Sequence, residues 1–428
     1  MNRSYRDRAW RGPDHNGFRE TLKQGYRSRM FQKSLDLDGW LVEQTWYDLL
    51  ISQVGNRFYL PPTWRFLRIL TEGFRTGSIV GGGVEISRRA AEKNEPAPLS
   101  EAPLFNHMKL THKQRAILAL EGKIPDYVPT FELAFQLTEE AFGKSFREGP
   151  QHDVLPEKDR FQLCRENAEL YLEIARRYEH SIIMITKAPS SIFPQRDLEL
   201  VQTMRYVREM AAAANEDYLL ITHGDATFAV PEGEWLNRMI EILAEDPERL
   251  LEEAEKDFYQ RSGHCLYFAE CGFDGFALCS DYAFNANPFF SPTQFAKFVT
   301  PYLRRLAQTY RGLGKYVIKH TDGNIMPILD QIVDCGPHAI HSLDPQGRMD
   351  IAEVKRRYGR RVALCGNVNC GLMQTGSEAE VLESCDYAMR HGKPGGGYIF
   401  CTSNCAFKGI PLERYELMHR FWREHREY

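Results

Sequence analysis

Three residues in the second half of the chain have side chains that are acceptable zinc ligands. His320 and Asp322 are separated by one residue, and Cys405 lies in a segment farther along the chain. In an extended segment, side chains two positions apart point to the same side, so one ion can contact both His320 and Asp322. Three protein ligands with one open position are typical of a catalytic zinc site. The alternative is that His320 and Asp322 hydrogen-bond loops and that Cys405 is a small buried apolar residue.

Other ionisable residues follow predicted strands and are candidates for catalysis. His223 lies two positions before Asp225, a spacing that suits a histidine oriented by a carboxylate for acid–base chemistry. Glu132 and Asp281 are further catalytic candidates, and either is also an alternative fourth, labile metal ligand. The candidates for substrate binding are polar residues at strand ends and aromatic residues that would form pocket walls: Lys187, Asn367, Asn369, Phe131, Phe135 and Phe284.

These residues are positioned by an alternation of strands and helices that begins near Thr111. Eight β-rich runs alternate with helical patterns: Val128–Leu133, Ser181–Thr186, Tyr218–His223, Gly275–Ser280, Tyr316–His320, Ala339–Leu343, Val362–Gly366 and Tyr398–Thr402. Eight such units predict an α/β fold, a (β/α)8 TIM barrel, with the candidate residues on one rim. If Ser342 and Asp344 point into the barrel mouth, His341 points away from it. A doubly wound open sheet is the alternative, although no glycine-rich turn follows the first strand.

The chain divides into two parts of different character, residues 1–108 and residues 109–428. The first part contains four of the six tryptophans and two stretches with helical periodicity, and it ends in a linker rich in proline and glutamate. We therefore predict a mostly helical N-terminal extension, an arm or a lid, followed by a catalytic barrel.

The composition argues against several classes of protein. A net charge of −4 with 26% charged residues argues against nucleic acid as the main partner. No apolar run approaches the roughly 18 residues of a membrane-spanning helix, and the N-terminus lacks the apolar core of a secretion signal. The ten cysteines are scattered along the chain, which favours reduced thiols. We therefore expect a cytoplasmic protein without a membrane or nucleic-acid partner.

Five stretches of the second part resemble the uroporphyrinogen decarboxylase superfamily, in particular its corrinoid-dependent methyltransferase branch. They are Leu118–Pro129, Ser291–Pro301, His320–Gly323, Gly366–Asn369 and Asn404–Tyr415. The resemblance covers about residues 110–426 and implies a TIM barrel there. Because members of this family often form dimers, it also implies a homodimer.

Two branches of this family differ in their binding residues. Uroporphyrinogen decarboxylases carry an arginine-rich segment after the first strand, whereas residues 130–136 here contain Glu132 and no arginine. An acidic rim would repel a polycarboxylate substrate by roughly 1 kcal/mol for each close charge pair. The methyltransferase branch binds zinc through His-x-Cys and a distant cysteine, to which His320 and Cys405 correspond. Asp322 stands where that branch has cysteine, and this harder ligand suits an oxygen-containing substrate.

The resemblance therefore implies a zinc-dependent enzyme of the O-demethylase type. A methyl group would pass from a small methoxylated substrate, an aromatic one among the options, to the cobalt of a corrinoid protein docked at the barrel mouth. Zinc would polarise the ether oxygen. The alternatives are methyl transfer from a corrinoid protein to a thiol, a decarboxylase of the uroporphyrinogen type, and a degenerate barrel that acts as a binding subunit.

Overall fold

A computed structural model of the protein describes residues 110–428. The predicted N-terminal extension, residues 1–108, lies outside the described residues. Seven strands of the described chain pair in parallel and in sequence order: Ile182–Met184 (β1), Leu219–His223 (β2), Gly275–Leu278 (β3), Tyr316–Thr321 (β4), Ala339–Ser342 (β5), Ala363–Gly366 (β6) and Tyr398–Ile399 (β7). The predicted α/β fold with parallel strands is therefore confirmed.

The first predicted strand, residues 128–133, is not a regular strand but lies between the two edges of the sheet. Thr130 forms parallel bridges with His180, which precedes β1, and with Phe400, which follows β7. The amide of Ser181 donates to the carbonyl of Thr130 over 2.7 Å. The sheet is therefore curled, and the segment around Thr130 contacts both of its edges.

Helices precede, connect and follow the strands. Those of residues 110–428 are His112–Leu120 (α1), Thr138–Phe142 (α2), Glu157–Tyr178 (α3), Gln195–Ala213 (α4), Glu234–Glu245 (α5), Arg249–Cys271 (α6), Pro292–Phe298 (α7), Thr300–Gly312 (α8), Leu329–Asp334 (α9), Ile351–Tyr358 (α10), Cys370–Thr375 (α11), Glu378–Gly392 (α12) and Leu412–His425 (α13), with short 3₁₀ turns at Pro150–His152, Met326–Ile328 and Pro345–Gly347. None of these helices combines the length and the apolarity that crossing a lipid bilayer requires.

Successive strand residues face two different apolar cores, because side chains alternate across a sheet. One core fills the interior of the curled sheet, and its strand residues are Ile182, Met184, Leu219, Ile221, Ala277, Ile318, Ala339, Ala363, Cys365, Ile399 and Cys401. Their neighbours, such as Leu220, Phe276 and Ile340, belong to the other core, which includes the helices. This alternation decides which polar residues of each strand point into the interior.

Helix α1 closes the N-terminal end of this interior. Its buried residues Ala116, Ala119 and Leu120 belong to the interior core. The amide of Lys113 donates to the carbonyl of Asp217, just before β2, over 2.9 Å. Because apolar side chains fill this end, polar residues of the interior lie toward the opposite end, where the strands terminate.

Candidate metal centre

Three ionisable side chains meet where β3 and β4 end. Ligand atoms of Asp281, His320 and Asp322 all lie within 4.8 Å of one another. Nε2 of His320 is 3.6 Å from Oδ1 of Asp281 and 3.9 Å from Oδ1 of Asp322. The parallel register pairs Leu278 of β3 with Lys319 of β4, so continuing it by three residues brings Asp281 level with Asp322. The group therefore results from the strand register together with the two-residue period of β4.

The carboxylate of Asp322 is fixed in place by neighbouring polar groups. The backbone amide of Asp322 donates to Oδ1 of Asp281 over 3.0 Å, and Nδ2 of Asn404 donates to Oδ2 of Asp322. Its Oδ1 is buried and has no hydrogen-bond partner. A buried oxygen without a partner costs about 1–3 kcal/mol. A cation between the three side chains would satisfy this oxygen, so the group fits a metal ion.

Gly323 allows the end of β4 to pack against the loop that carries Asp281. Its φ is +79°, in the left-handed region that favours glycine. A Cβ at this position would lie 2.6 Å from the carbonyl oxygen of Ala283. A larger residue would therefore separate the segments that carry Asp322 and Asp281.

The electrostatics of the group also suit a divalent cation. Burial raises the pKa of Asp322 to about 7, the charges of Asp281 and Asp344 contribute, and the hydroxyl of Ser342 opposes the rise. Burial, together with a smaller contribution from the charge of Lys319, lowers the pKa of His320 to about 3. A neutral imidazole and mutually repelling carboxylates are a combination that a cation stabilises.

The third predicted ligand, Cys405, lies outside the group of atoms within 4.8 Å. Burial raises the pKa of the Cys405 thiol to about 12, and the charges of Glu132, Cys370 and Asp322 contribute. Without a cation beside it this thiol is neutral, and metals bind the thiolate. The residue that lies next to His320 and Asp322 is instead Asp281, which the sequence analysis gave as an alternative fourth, labile ligand.

His341 extends the group toward the interior core, and the expectation that it points away from the mouth is wrong. It pairs in register with His320 across β4 and β5, and the two Nδ1 atoms are 2.8 Å apart. Its ring contacts the edge of Phe131, with ring centres 5.5 Å apart. Burial lowers the pKa of His341 well below its ordinary value. Ala339, two positions earlier in β5, belongs to the interior core, and strand alternation therefore directs the side chain of His341 to the same side.

Asp225, a predicted catalytic residue, has both carboxylate oxygens occupied by internal hydrogen bonds. Oδ1 accepts from the amide and the hydroxyl of Thr227, over 2.9 and 2.6 Å. Oδ2 accepts from the amide of Ser280 and from Nζ of Lys319, each over 2.9 Å. Although burial opposes it, the charge of Lys319 holds the pKa of Asp225 below its ordinary value. Asp225 therefore connects the ends of β2, β3 and β4.

Lys319 is a fully buried partner in this connection that the sequence interpretation did not include. Its Nζ also donates to the carbonyls of Leu278 and Ser280, over 3.2 and 2.8 Å, and lies 3.9 Å from the ring centre of Tyr282. A lysine inside an apolar strand run indicates a buried ion pair. These bonds fix the backbone immediately before Asp281.

His223 is not hydrogen-bonded to Asp225, contrary to the predicted pairing, since both oxygens of that carboxylate have other donors. It ends β2, and its side chain is exposed. Desolvation by the surrounding protein still lowers its pKa, and Arg196 contributes. The charge of His223 also contributes to the lowered pKa of His320, after burial and the charge of Lys319. A neutral, accessible imidazole at the end of β2 is suited to acid–base chemistry.

Glu132, another predicted catalytic residue, points away from the interior. Phe131 belongs to the interior core, so the next side chain faces the helices. The amide and the hydroxyl of Thr402 donate to its carboxyl group over 3.2 and 2.6 Å. Burial raises the pKa of Glu132 to about 8, although hydrogen bonds from Thr402 and Tyr415 oppose the rise. Glu132 is thus a protonated buried acid at neutral pH.

The three aromatic residues predicted as pocket walls occupy different environments. Phe131 is completely buried in the interior core. Phe135 packs against Tyr178 and Tyr415, with ring centres 5.2 Å away in each case. Phe284 is 52% exposed and lies in the loop that carries Asp281. Of the three, Phe284 is therefore the one whose ring a molecule at the strand ends can contact.

The three polar residues predicted to bind substrate have internal partners. Nζ of Lys187 forms an ion pair with Glu148 over 2.8 Å. The side chain of Asn367 donates to two backbone carbonyls and is buried. Oδ1 of Asn369 caps α11 by accepting from the amide of Gly371 over 2.9 Å. These contacts account for the three side chains as parts of the fold.

A comparison with protein families finds a match in the second part of the chain. The family model described as uroporphyrinogen decarboxylase (URO-D) matches residues 268–425. This range contains β3 to β7 and all three residues of the metal group, Asp281, His320 and Asp322. No curated protein matches the chain.

Proposed function

We propose that the chain is a zinc-dependent methyltransferase of the uroporphyrinogen decarboxylase superfamily, whose family model matches residues 268–425. It transfers a methyl group from a small methoxylated substrate to the cobalt of a corrinoid carried by a partner protein. Asp281, His320 and Asp322 hold the metal. The observation that carries this proposal is the buried Oδ1 of Asp322, which has no hydrogen-bond partner and lies 3.9 Å from Nε2 of His320.

The fold that supports this activity is, in our interpretation, a complete (β/α)8 barrel. The segment around Thr130 takes the place of its first strand, since it bridges residues next to β1 and β7. The metal group then lies at the C-terminal ends of the strands, where barrel enzymes have their active sites.

The difference in exposure between His320 and Asp281 indicates the side from which substrate approaches. The side chain of His320 is 6% exposed and that of Asp281 is 46% exposed. His320 therefore forms the buried floor of the site and Asp281 its rim. Phe284, in the same loop as Asp281, provides an exposed ring against which an apolar or aromatic methoxylated molecule can pack.

Bound zinc supplies Lewis-acid chemistry, which polarises an ether oxygen and makes it a better leaving group. The residues of the chain determine what else happens. His223 holds or releases the proton that the demethylated product needs, because its imidazole is accessible and neutral. The partner protein docks at the strand ends, because its cobalt must reach the methyl group in line.

The chemistry of the site separates this proposal from the two enzymatic alternatives. The group within 4.8 Å offers two carboxylates and one imidazole and no thiol, and such harder ligands favour an oxygen-containing substrate. The carboxylates of Asp281 and Asp322 lie together in this group, so negative charge is concentrated here. That charge disfavours the polycarboxylate substrate of a decarboxylase.

The proposal is tested by metal analysis of the full chain, loaded with zinc and then dialysed. We expect one zinc per chain in the wild type, loss of zinc in Asp281→Asn, His320→Gln and Asp322→Asn, and retention in Cys405→Ser. Loss in Cys405→Ser would favour the ligand set implied by the resemblance. A wild type that binds no zinc would refute the metal site.

A second assay tests the reaction itself. Methyl transfer from a panel of methoxylated aromatic compounds to free cob(I)alamin is followed by the absorbance change of the cobalt on methylation. We expect transfer that depends on zinc and on His320. Carbon dioxide release from a porphyrinogen by the metal-free protein would instead support the decarboxylase alternative.

A further inference from the structure

The contact between His320 and His341 constrains which nitrogen of each ring carries a hydrogen. Their Nδ1 atoms are 2.8 Å apart, which is a hydrogen-bond distance, and both side chains are buried. Two identical nitrogens form such a bond only if one donates and the other accepts. Two arrangements are therefore available to a pair of neutral imidazoles.

The two arrangements differ at Nε2 of His320, the atom that faces Asp281 and Asp322. If His341 donates, the single hydrogen of His320 is on Nε2, which then cannot bind a metal. If His320 donates, its Nε2 presents a lone pair to the two carboxylates. Nε2 of His341 is buried without a hydrogen-bond partner, and it carries a hydrogen only in the second arrangement. That arrangement therefore leaves one buried N–H unpaired, a cost that metal binding at Nε2 of His320 has to offset.

His341 therefore has a role that the metal ligands cannot provide for themselves. We infer that His341 is a positioning residue: its Nδ1 accepts the hydrogen of His320 and so keeps Nε2 of His320 free for the metal. This inference rests on the proposed metal centre. Without an acceptor, Nδ1–H of His320 would be a buried donor without a partner, and its hydrogen would favour Nε2, near Asp281.

The inference is tested with two substitutions that differ in hydrogen bonding. His341→Asn retains an acceptor, because its Oδ1 is attached to Cγ as Nδ1 of the histidine is, whereas the thioether of His341→Met is at most a weak acceptor. Affinity for Zn²⁺ is measured by competition with a chelator, and the visible spectrum of the Co²⁺-loaded protein reports the ligand geometry. We expect His341→Met to weaken Zn²⁺ binding roughly 10- to 100-fold and to change the Co²⁺ spectrum. We expect His341→Asn to restore both to near the wild-type values.

Phe131→Leu is the matched packing control, because Phe131 contacts the ring of His341 and has no polar group. Equal loss of Zn²⁺ affinity in Phe131→Leu and His341→Met would overturn the inference in favour of a packing effect. So would unchanged affinity in a folded His341→Met. A wild type without any metal affinity would refute the proposed function itself, and the inference with it.

A measurement on the wild type keeps the inference testable if His341→Met does not fold. In the zinc-loaded, ¹⁵N-histidine-labelled chain, long-range proton–nitrogen correlations identify the nitrogen of each ring that carries hydrogen. We expect His341 to carry it on Nε2 and His320 on Nδ1. A hydrogen on Nδ1 of His341 would overturn the inference while leaving the metal site intact.

Discussion

Glu132 makes the stability of the fold depend on pH in a way that one substitution removes. Burial raises the pKa of its carboxyl group from an ordinary value of 4.5 to about 8. In the unfolded chain the ordinary value applies, so between pH 4.5 and 8 the folded chain keeps a proton that the unfolded chain has lost. The contribution of Glu132 is fully present below pH 4.5 and is lost as the pH rises through 8.

The size of this effect follows from the displacement of the pKa. Stability falls by about 1.4 kcal/mol for each pH unit in this range. Glutamine has nearly the shape of the protonated acid but does not titrate. In Glu132→Gln, the loss of folding stability that Glu132 causes as the pH rises is therefore absent. We therefore expect the stability of the variant relative to the wild type to increase by about 4 kcal/mol between pH 5 and pH 8.

Urea unfolding of both proteins at several pH values in this range, followed by circular dichroism, measures the difference. Taking the difference cancels the groups that titrate alike in both chains. The matched control is Glu209→Gln, an exposed carboxyl group on α4, for which we expect a change within about 0.5 kcal/mol at every pH. A difference between Glu132→Gln and wild type that does not vary with pH would refute the idea of a buried, protonated Glu132.

Three further substitutions test other parts of the site. Asp225→Asn leaves the buried charge of Lys319 uncompensated, and we expect a loss of about 3–5 kcal/mol in urea unfolding; a loss below about 1 kcal/mol would contradict the connecting role of this pair. Gly323→Ala places a Cβ 2.6 Å from a backbone oxygen; we expect a loss of about 2 kcal/mol and weaker zinc binding, and unchanged zinc binding would show that the turn does not position Asp322. Phe284→Ala should raise the KM for an aromatic methoxylated substrate with zinc content unchanged, and an unchanged KM would exclude this ring from the pocket.

The sequence predicts the local features of the site better than its long-range ones. The two-residue spacing of His320 and Asp322 within one strand was sufficient to place both on one side. The proximity of Asp281 depends on the register between β3 and β4, which no local pattern encodes. Cys405 follows β7 in a loop, and its distance from the metal group depends on loop conformation rather than on sequence spacing.

Side-chain direction follows from strand alternation once the structure identifies one interior residue of a strand. Phe131 and Ala339 are such residues, and counting from them directs Glu132 outward and His341 inward. The partners of Asp225 are a different case. Its carboxylate is occupied by Lys319, which lies 94 residues away in the sequence, so only the tertiary structure reveals the pair.

The packing of α1 against the interior core has a consequence for the order of events in a catalytic cycle. Ala116, Ala119 and Leu120 fill the N-terminal end, so in the proposed reaction the substrate and the partner protein would use the same opening at the strand ends. The methyl donor would then bind before the partner covers that opening, and the demethylated product would leave after the partner dissociates. Steady-state kinetics with the two substrates should therefore show compulsory-order binding, with the small molecule first.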